Sequence, residues 1–471
     1  MKPGGLLSLA RGYPPGWLVL LTALAYFNAL TASFQFDDYN IIVDNPSVHS
    51  LTAWWQHALG IRPLLKLSYT LNWISGLGSE GFHAVNLLLH LVNVVLLWHL
   101  SAYFPRPGAW NAEHCRHARL LATLIFAMHP IQTEAVTYIS GRSMVLMACF
   151  GLGALLCWME AERHPRPAPW RLAALVLFAA AVLSKEVAVV LPLSLFLLRQ
   201  QKPASGRQGL MWILIVIAAL ALLFFVLGYQ RLLVTPPRGL FANLASETNA
   251  LFYLLGQLFR PHALNIDPDL PELSAWSILL AAQLSLLGSI FLLAWLERGR
   301  RPWLTYGIGW FVLLLLPTHS LIPRLDLASE RHLYMSGIGL FWLAGLGLTA
   351  LFAPSPTHRR VTAINGLVAV LAITGVILTA SRNRDYLDEV SLWQATIRLS
   401  PNKARVWNNL GYAHALAGQF GEARAALLHA LSLDPAHARA RANLRSLETG
   451  RFGLFPPPSD PRSGAQPRSL P

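Results

Sequence analysis

The chain has 471 residues, 54% hydrophobic and only 13% charged, with 37 Lys and Arg against 23 Asp and Glu and a formal net charge of +14. A mean hydropathy of +0.44 excludes an ordinary soluble globule. The surplus positive charge sits largely in short loops between apolar runs and in the C-terminal region, so it needs no nucleic acid to explain it, and no nucleic-acid motif is present.

Apolar runs near the ~17–25 residues that cross a bilayer as a helix recur from Trp17 to about Ala380. They predict an all-α, multi-span membrane protein with about eleven spans, using the ~20-residue criterion: 17–35, 83–103, 118–128, 143–160, 171–183, 187–199, 210–229, 275–296, 303–317, 335–352 and 361–380. The first run has no clear small-residue cleavage site and reads as a retained span. The loops 104–119, 161–171, 199–207, 297–301 and 353–360 carry the arginines, among them Arg106, Arg119, Arg163, Arg199, Arg301 and Arg360, together with Lys202. By the positive-inside rule these loops and the N-terminus face the cytoplasm, and the intervening loops face the other side. The apolar stretch from Asn249 to Arg260 would reverse that bias if it crossed, so it is expected to lie along the membrane surface. Cys115, Cys149 and Cys157 form no CxxC pair and indicate neither a zinc site nor a disulfide framework.

After Arg382 the chain is expected outside the cytoplasm. Trp407, Leu410, Gly411, Gly418, Phe420, Ala423, Leu427, Ala430 and Pro435 follow the roughly 34-residue pattern of a tetratricopeptide repeat. Residues 382–399 form a helix before it and 436–447 a capping helix. The expected domains are a membrane domain, 1–381, a helical repeat domain, 382–450, and a disordered proline-rich tail, 451–471. A single repeat buries little surface, so it is either a protein-binding module or a helical cap on the membrane domain. Cutting the chain after Lys403 is expected to spare turnover of a free acceptor and to impair modification of a natural protein.

Polar groups that could do chemistry gather in the non-cytoplasmic loops. Asp37 and Asp38 follow the first span, where ionised groups are expensive unless they bind or react with something. Trp54 and Trp55 suit a helix at the lipid headgroups. The ordered motifs are D-D-x-x-x-x-x-x-N-P from Asp37, R-P-L-x-x-L-S-Y-x-L-N from Arg62, and G-F-H-x-x-N-x-x-L-H from Gly81. There follow His129-Pro130-Ile131 with Thr133-Glu134-Ala135-Val136, Gly141-Arg142, Ser184-Lys185-Glu186, and Glu330-Arg331-x-Leu333-Tyr334. His83, Asn86 and His90 share one helical face and are expected to hydrogen-bond neighbouring helices.

This series resembles the transmembrane and tetratricopeptide-repeat O-mannosyltransferases and their bacterial relatives. The resemblance implies an inverting GT-C-type glycosyltransferase that takes a sugar, with mannose the one suggested, from a polyprenyl-phosphate carrier at the non-cytoplasmic face. The acceptor would be a protein Ser or Thr hydroxyl, presented by the repeat domain. Carried over by motif, Asp37 or Asp38 would be the base. Arg142, Lys185, Arg331 and His332 would hold the donor phosphate, with Arg62, Glu134, Glu186 and Glu330 in support. Arg gives phosphate a planar fork and Lys a point charge.

Glu134 is expected to orient Arg142, and Glu186 and Glu330 are rivals for Lys185 and Arg331 as ion-pair partners. No redox cofactor is implied; Asp37, Asp38 and Asp44 offer a carboxylate set for a divalent cation, although no spacing demands one. External loops lack an N-x-S/T acceptor with a permissive middle residue, which favours a bacterial inner membrane with a periplasmic repeat over the endoplasmic reticulum. The alternatives are a related enzyme with a glycan or lipid acceptor and a non-enzymatic scaffold that recruits partners through its repeat. Transport is disfavoured because the polar motifs lie at one membrane edge instead of the midplane.

Overall fold

The computed structural model describes residues 16–58, 60–199, 206–227, 238–319, 323–324, 326–353 and 357–450. Lys202 and the 451–471 tail lie outside the described residues. The helices, in order, are α1 Gly16–Tyr26, α2 Leu51–Gln56, α3 Pro63–Ile74, α4 Gly78–Leu100, α5 Ala112–Met128, α6 Thr133–Val136, α7 Arg142–Ala161, α8 Pro167–Ser184, α9 Leu191–Leu198 and α10 Gly206–Ala221. They continue with α11 Leu240–Gln257, α12 Ile278–Leu296, α13 Pro302–Leu315, α14 Leu333–Phe352, α15 Thr357–Arg384, α16 Glu389–Leu399, α17 Ala404–Leu416, α18 Phe420–Leu433 and α19 Ala438–Glu448.

Starts and stops follow local chemistry. Pro63, Pro167 and Pro302 sit in first turns, where a missing N–H leaves no bond unmade. The side chains of Ser50, Asn111, Ser277 and Asp388 cap α2, α5, α12 and α16 by accepting from free N–H groups of the first turn.

Each expected span contains a helix, although the first, 17–35, is helical only as far as Ala29 and continues as an extended segment. Among the described residues, seven helical stretches are long and apolar enough to cross a membrane: 78–103, 139–161, 167–184, 209–226, 278–296, 330–352 and 358–384. The stretches Gly16–Ala29, Glu186–Leu198 and Pro302–Leu315 are apolar but shorter. The protein is thus an all-helical integral membrane protein in which seven of the eleven expected spans have full crossing length. The stretch expected on the membrane surface is part of α11, which packs on α12 and buries Asn243, Ser246 and Glu247.

The centre of the bundle is α4, α5, α7 and α14, wrapped by α1, α8, α13 and α15. Gly345 lets α14 lie directly on α5: a Cβ there would come within 3.0 Å of the Ala122 nitrogen and closer still to the Ala118 carbonyl. One face of α4 is polar, and it stitches the bundle together. His83 Nε2 meets the Ala32 carbonyl at 3.1 Å, and His90 lies 2.7 Å from the Tyr334 hydroxyl and 3.1 Å from the Ala127 carbonyl. Asn93 donates to both the Val145 carbonyl and the Tyr334 hydroxyl at 2.9 Å. Buried polar groups are stable only when paired in this way.

The two ends of the bundle differ in charge. At one end Arg119 donates to the Trp98 carbonyl, Arg163 covers the Tyr103 ring, Arg199 pairs with Glu162 and Arg360 with Glu113. The motif loops meet at the other end, where the C-terminal helices are also docked. There Lys403 Nζ lies 2.6 Å from Asp267 Oδ1, Arg405 bridges Asp267 and Asp326, and Asn265 donates to Ser400 Oγ at 2.7 Å. Helices α17 and α18 form the repeat hairpin and α19 its cap, around a core of Trp393, Val406, Leu410, Ala413 and Ala426.

Candidate functional site

The chain leaves α1 through an extended segment, and Phe36, with φ of 47°, turns it sharply. That left-handed conformation is unfavourable for a bulky residue, and it sends the next two side chains to different surroundings. Asp38 is 1% exposed, with both oxygens engaged: Oδ2 accepts from the Gln35 N–H at 3.0 Å, and Oδ1 from the Ser140 N–H at 2.9 Å and from the Ser140 hydroxyl. Burial pushes its carboxyl up to about 7 against the pull of these bonds. Asp37 is half-buried. Its backbone N–H donates to the Tyr138 hydroxyl at 3.0 Å. Burial raises its pKa, while Arg331 acts in the opposite sense.

Arg142 is fully enclosed. Its guanidinium donates to Asn86 Oδ1 at 2.6 Å, Asn72 Oδ1 at 2.6 Å, the Phe82 carbonyl at 2.8 Å and the Ser68 carbonyl at 3.2 Å. It lies 5.0 Å from the ring centroids of both Tyr69 and Phe82. This corrects the expectation that it binds a phosphate: with no exposed surface and four of its five N–H groups committed, it has no fork left to offer. It joins three of the sequence motifs at their backbones and amides instead.

Glu134 does not orient Arg142 either. It accepts from Ser329 Oγ at 2.5 Å and from the Arg331 N–H at 3.1 Å, with Arg331 Nε 3.5 Å away. Gly141 makes this corner possible, because a Cβ there would collide with the Glu134 and Ala135 carbonyls. Gly141→Ala is therefore expected to destabilise the protein by about 1–3 kcal/mol through overpacking, seen as a lowered unfolding temperature in detergent.

The acidic neighbours in sequence are not the partners in space. Glu186 pairs with Arg62 in a two-pronged contact of 2.9 and 2.7 Å, and Arg324 approaches to 3.7 Å. Burial pushes the Glu186 carboxyl up, but Arg62 and Lys185 together outweigh it and hold the group well below the usual range. Glu330 accepts from the Asn265 N–H at 2.5 Å and lies 4.0 Å from Arg382. Lys185 is 3% exposed and donates to Ser143 Oγ at 3.1 Å. Its burial, and then the adjacent Arg62 and Arg331, hold the ammonium pKa well below the usual value.

Arg62, Lys185, Arg324 and Arg331 thus form one cationic group around Glu186, with Asp37 beside Arg331. His332 extends it. His332 Nε2 lies 3.4 Å from Arg324, and its Nδ1 lies 3.0 Å from His319 Nε2. His319 Nδ1 lies 2.6 Å from Glu247. One proton arrangement satisfies the row: Arg324 donates to His332, His332 to His319, and His319 to Glu247, both imidazoles being neutral. Glu247 and His319 form the polar end of a cleft of about 190 Å³ whose other walls include Leu244, Leu251, Phe291, Phe311 and Leu315. Among the described residues no group of three or more His, Cys, Asp or Glu is arranged to hold a metal ion. Asp38, with both oxygens taken, does not join Asp37 and Asp44 in such a set.

Arg324, His319 and Glu247 were absent from the sequence-based site. Glu247 carried a usable signal, since the one charged residue in the stretch from Leu240 to Gln257 needs a partner or a function.

The tetratricopeptide repeat family model matches residues 404–437. Over the longer chain, the mouse protein O-mannosyl-transferase TMTC3 is 24% identical across 91% of this chain and 52% of its own length. The mouse protein O-mannosyl-transferase TMTC4 is 27% identical across 84% of this chain and 64% of its own length. A Drosophila melanogaster protein O-mannosyl-transferase, Tmtc2, reaches 32% identity over a shorter stretch, 51% of this chain and 28% of its own. The chain therefore spans about half to two-thirds of the first two relatives. No solved structure matches it. Its homologues are transmembrane and tetratricopeptide-repeat protein O-mannosyltransferases, as the motif series implied.

Proposed function

We propose that the chain is an inverting membrane glycosyltransferase that moves mannose from a polyprenyl-phosphate donor to a Ser or Thr hydroxyl of a protein, at the non-cytoplasmic face. The observation that carries this reading is a partly exposed carboxylate, Asp37, beside Arg331 at the edge of a group of four cations gathered from three separate segments. Recruitment of partners alone gives no reason for that gathering. The cations would receive the donor phosphate, and the cleft ending at Glu247 and His319 would take the first part of the polyprenyl chain. Asp37 would remove the acceptor proton as the acceptor oxygen bonds to the anomeric carbon. The bond from that carbon to the phosphate oxygen breaks, and its electron pair leaves with the lipid phosphate. Arg62, Lys185, Arg324 and Arg331 would stabilise the charge that develops there. The homologues' names support the sugar and the acceptor class. The charge difference between the ends of the bundle supports the side, and a bacterial inner membrane with a periplasmic repeat is the proposed setting.

The test is transfer of labelled sugar from polyprenyl-phosphate mannose to a Ser/Thr peptide by the purified full-length protein. Absence of transfer by wild type, with that donor and with its glucose counterpart, would overturn the reading. Lys185→Met and Arg324→Ala are each expected to raise the donor KM about ten- to a hundredfold, the equivalent of one lost charged hydrogen bond, with the acceptor KM unchanged. Donor titrations at saturating acceptor would check this.

A further inference from the structure

Residues between the last span and the repeat form the back wall of the loop that carries Asp37. The Ser33 N–H donates to the Leu387 carbonyl at 3.0 Å, and the Gln35 amide donates to the Tyr386 carbonyl. The Glu389 carboxylate accepts from Trp393 Nε1–H at 3.4 Å and faces the Phe36 backbone N–H. The Phe36 ring meets Trp393 edge to face, with centroids 5.0 Å apart and planes at 86°. Trp393 is fully buried and belongs to the same cluster as Val406, Leu410, Ala413 and Ala426, the core of the repeat hairpin. Phe36 thus plugs into the repeat domain's own core. It is also the residue held at a positive φ, immediately before Asp37. A strained residue keeps its conformation only where its surroundings over-determine it, and here those surroundings come largely from the C-terminal unit.

We infer that the C-terminal helical unit sets the geometry of the catalytic loop, with Trp393 and Glu389 as positioning residues for Asp37. The inference rests on Asp37 as the base. Helix α16 and the α17–α18 hairpin that covers Trp393 are then part of the transfer machinery, whereas the capping helix α19 is not, so even a small acceptor that never touches the repeat depends on them. This departs from the expectation that cutting after Lys403 spares a free acceptor, because the cut removes the helices that cover Trp393. A displacement of a reacting group by about 1 Å can cost on the order of 10²-fold in rate.

The experiment uses the full-length protein and a short Ser/Thr peptide. Trp393→Ala and Phe36→Ala are expected to lower kcat by about 10- to 100-fold with the donor KM unchanged, and to shift the acidic limb of the pH–rate profile. Trp393→Phe should restore most of the rate. Leu444→Ala, which loosens the capping helix α19 without touching Phe36, should keep the wild-type kcat. A wild-type kcat in both Trp393→Ala and Phe36→Ala, or an equal loss in Leu444→Ala, would overturn the inference. Asp37→Asn in the same assay separates the two readings: if it is dead while Trp393→Ala is normal, the base stands and the positioning role falls. If Asp37→Asn is active, the base reading itself fails.

Discussion

Replacing Asp37 by asparagine is expected to lower transfer by about 10²–10⁴-fold, the usual contribution of a positioned general base, while the donor still binds and the protein still folds. Asparagine keeps the shape and accepts no proton. The Tyr138 hydroxyl accepts from the Asp37 N–H at 3.0 Å and also bonds the carboxylate, and the asparagine Oδ1 can accept that second bond in its place, so the variant keeps both contacts. Because burial raises the Asp37 pKa, wild-type kcat should begin to fall at a pH above the ordinary carboxylate range as the base becomes protonated. The residual rate of the variant should lack that limb. Asp38→Asn makes the informative contrast. Its amide group must face either the Gln35 N–H or the Ser140 N–H, both donors, which leaves a buried donor unpaired at about 1–3 kcal/mol. Asp38→Asn should therefore lower the unfolding temperature, and Asp37→Asn should not. Equal stability loss in the two, with equal loss of rate, would contradict the division of labour between them.

Arg142→Ala is expected to fail by unfolding, not by weak donor binding. The guanidinium satisfies Asn72, Asn86 and the carbonyls of Ser68 and Phe82 in a site closed to solvent. Truncation leaves these four acceptors facing a cavity, at about 1–3 kcal/mol each before any relaxation, so a total loss of roughly 3–5 kcal/mol is expected, in the range seen when a buried charged network loses one member. Arg142→Lys should recover only part of this, since a single ammonium cannot reach acceptors arranged around a planar fork. Thermal unfolding in detergent and the yield of folded protein would measure it. If Arg142→Ala folds as wild type and only the donor KM rises, the central strut assigned here is instead a phosphate ligand.

Much of the architecture was legible from residues alone. Each expected span contains a helix, because long apolar runs separated by Arg-bearing loops have few other ways to satisfy their backbone groups in lipid. The repeat was legible from Trp407, Leu410, Gly411 and Ala423, whose spacing encodes a local helix hairpin. The motif set also named most of the side chains now seen at one end of the bundle. Partner choice was not legible. Glu134 serves Arg331 and not Arg142, Glu186 serves Arg62 and not the adjacent Lys185 alone, and His332 reaches His319 and, through it, Glu247 on α11. Neighbours in a tight turn point in different directions, and their charges meet groups brought from far along the chain.

By itself the sequence determined the membrane class, the helices and the family resemblance, all of which depend on composition and short-range period. Only the tertiary structure decided which of two adjacent aspartates is sealed by Ser140 and which stays open beside Arg331. It also decided that Arg142 is a strut, and that Phe36 is gripped by Trp393 from the other end of the chain. Burial and hydrogen-bond saturation distinguish a structural charge from a chemical one, and both are properties of surroundings assembled from distant segments.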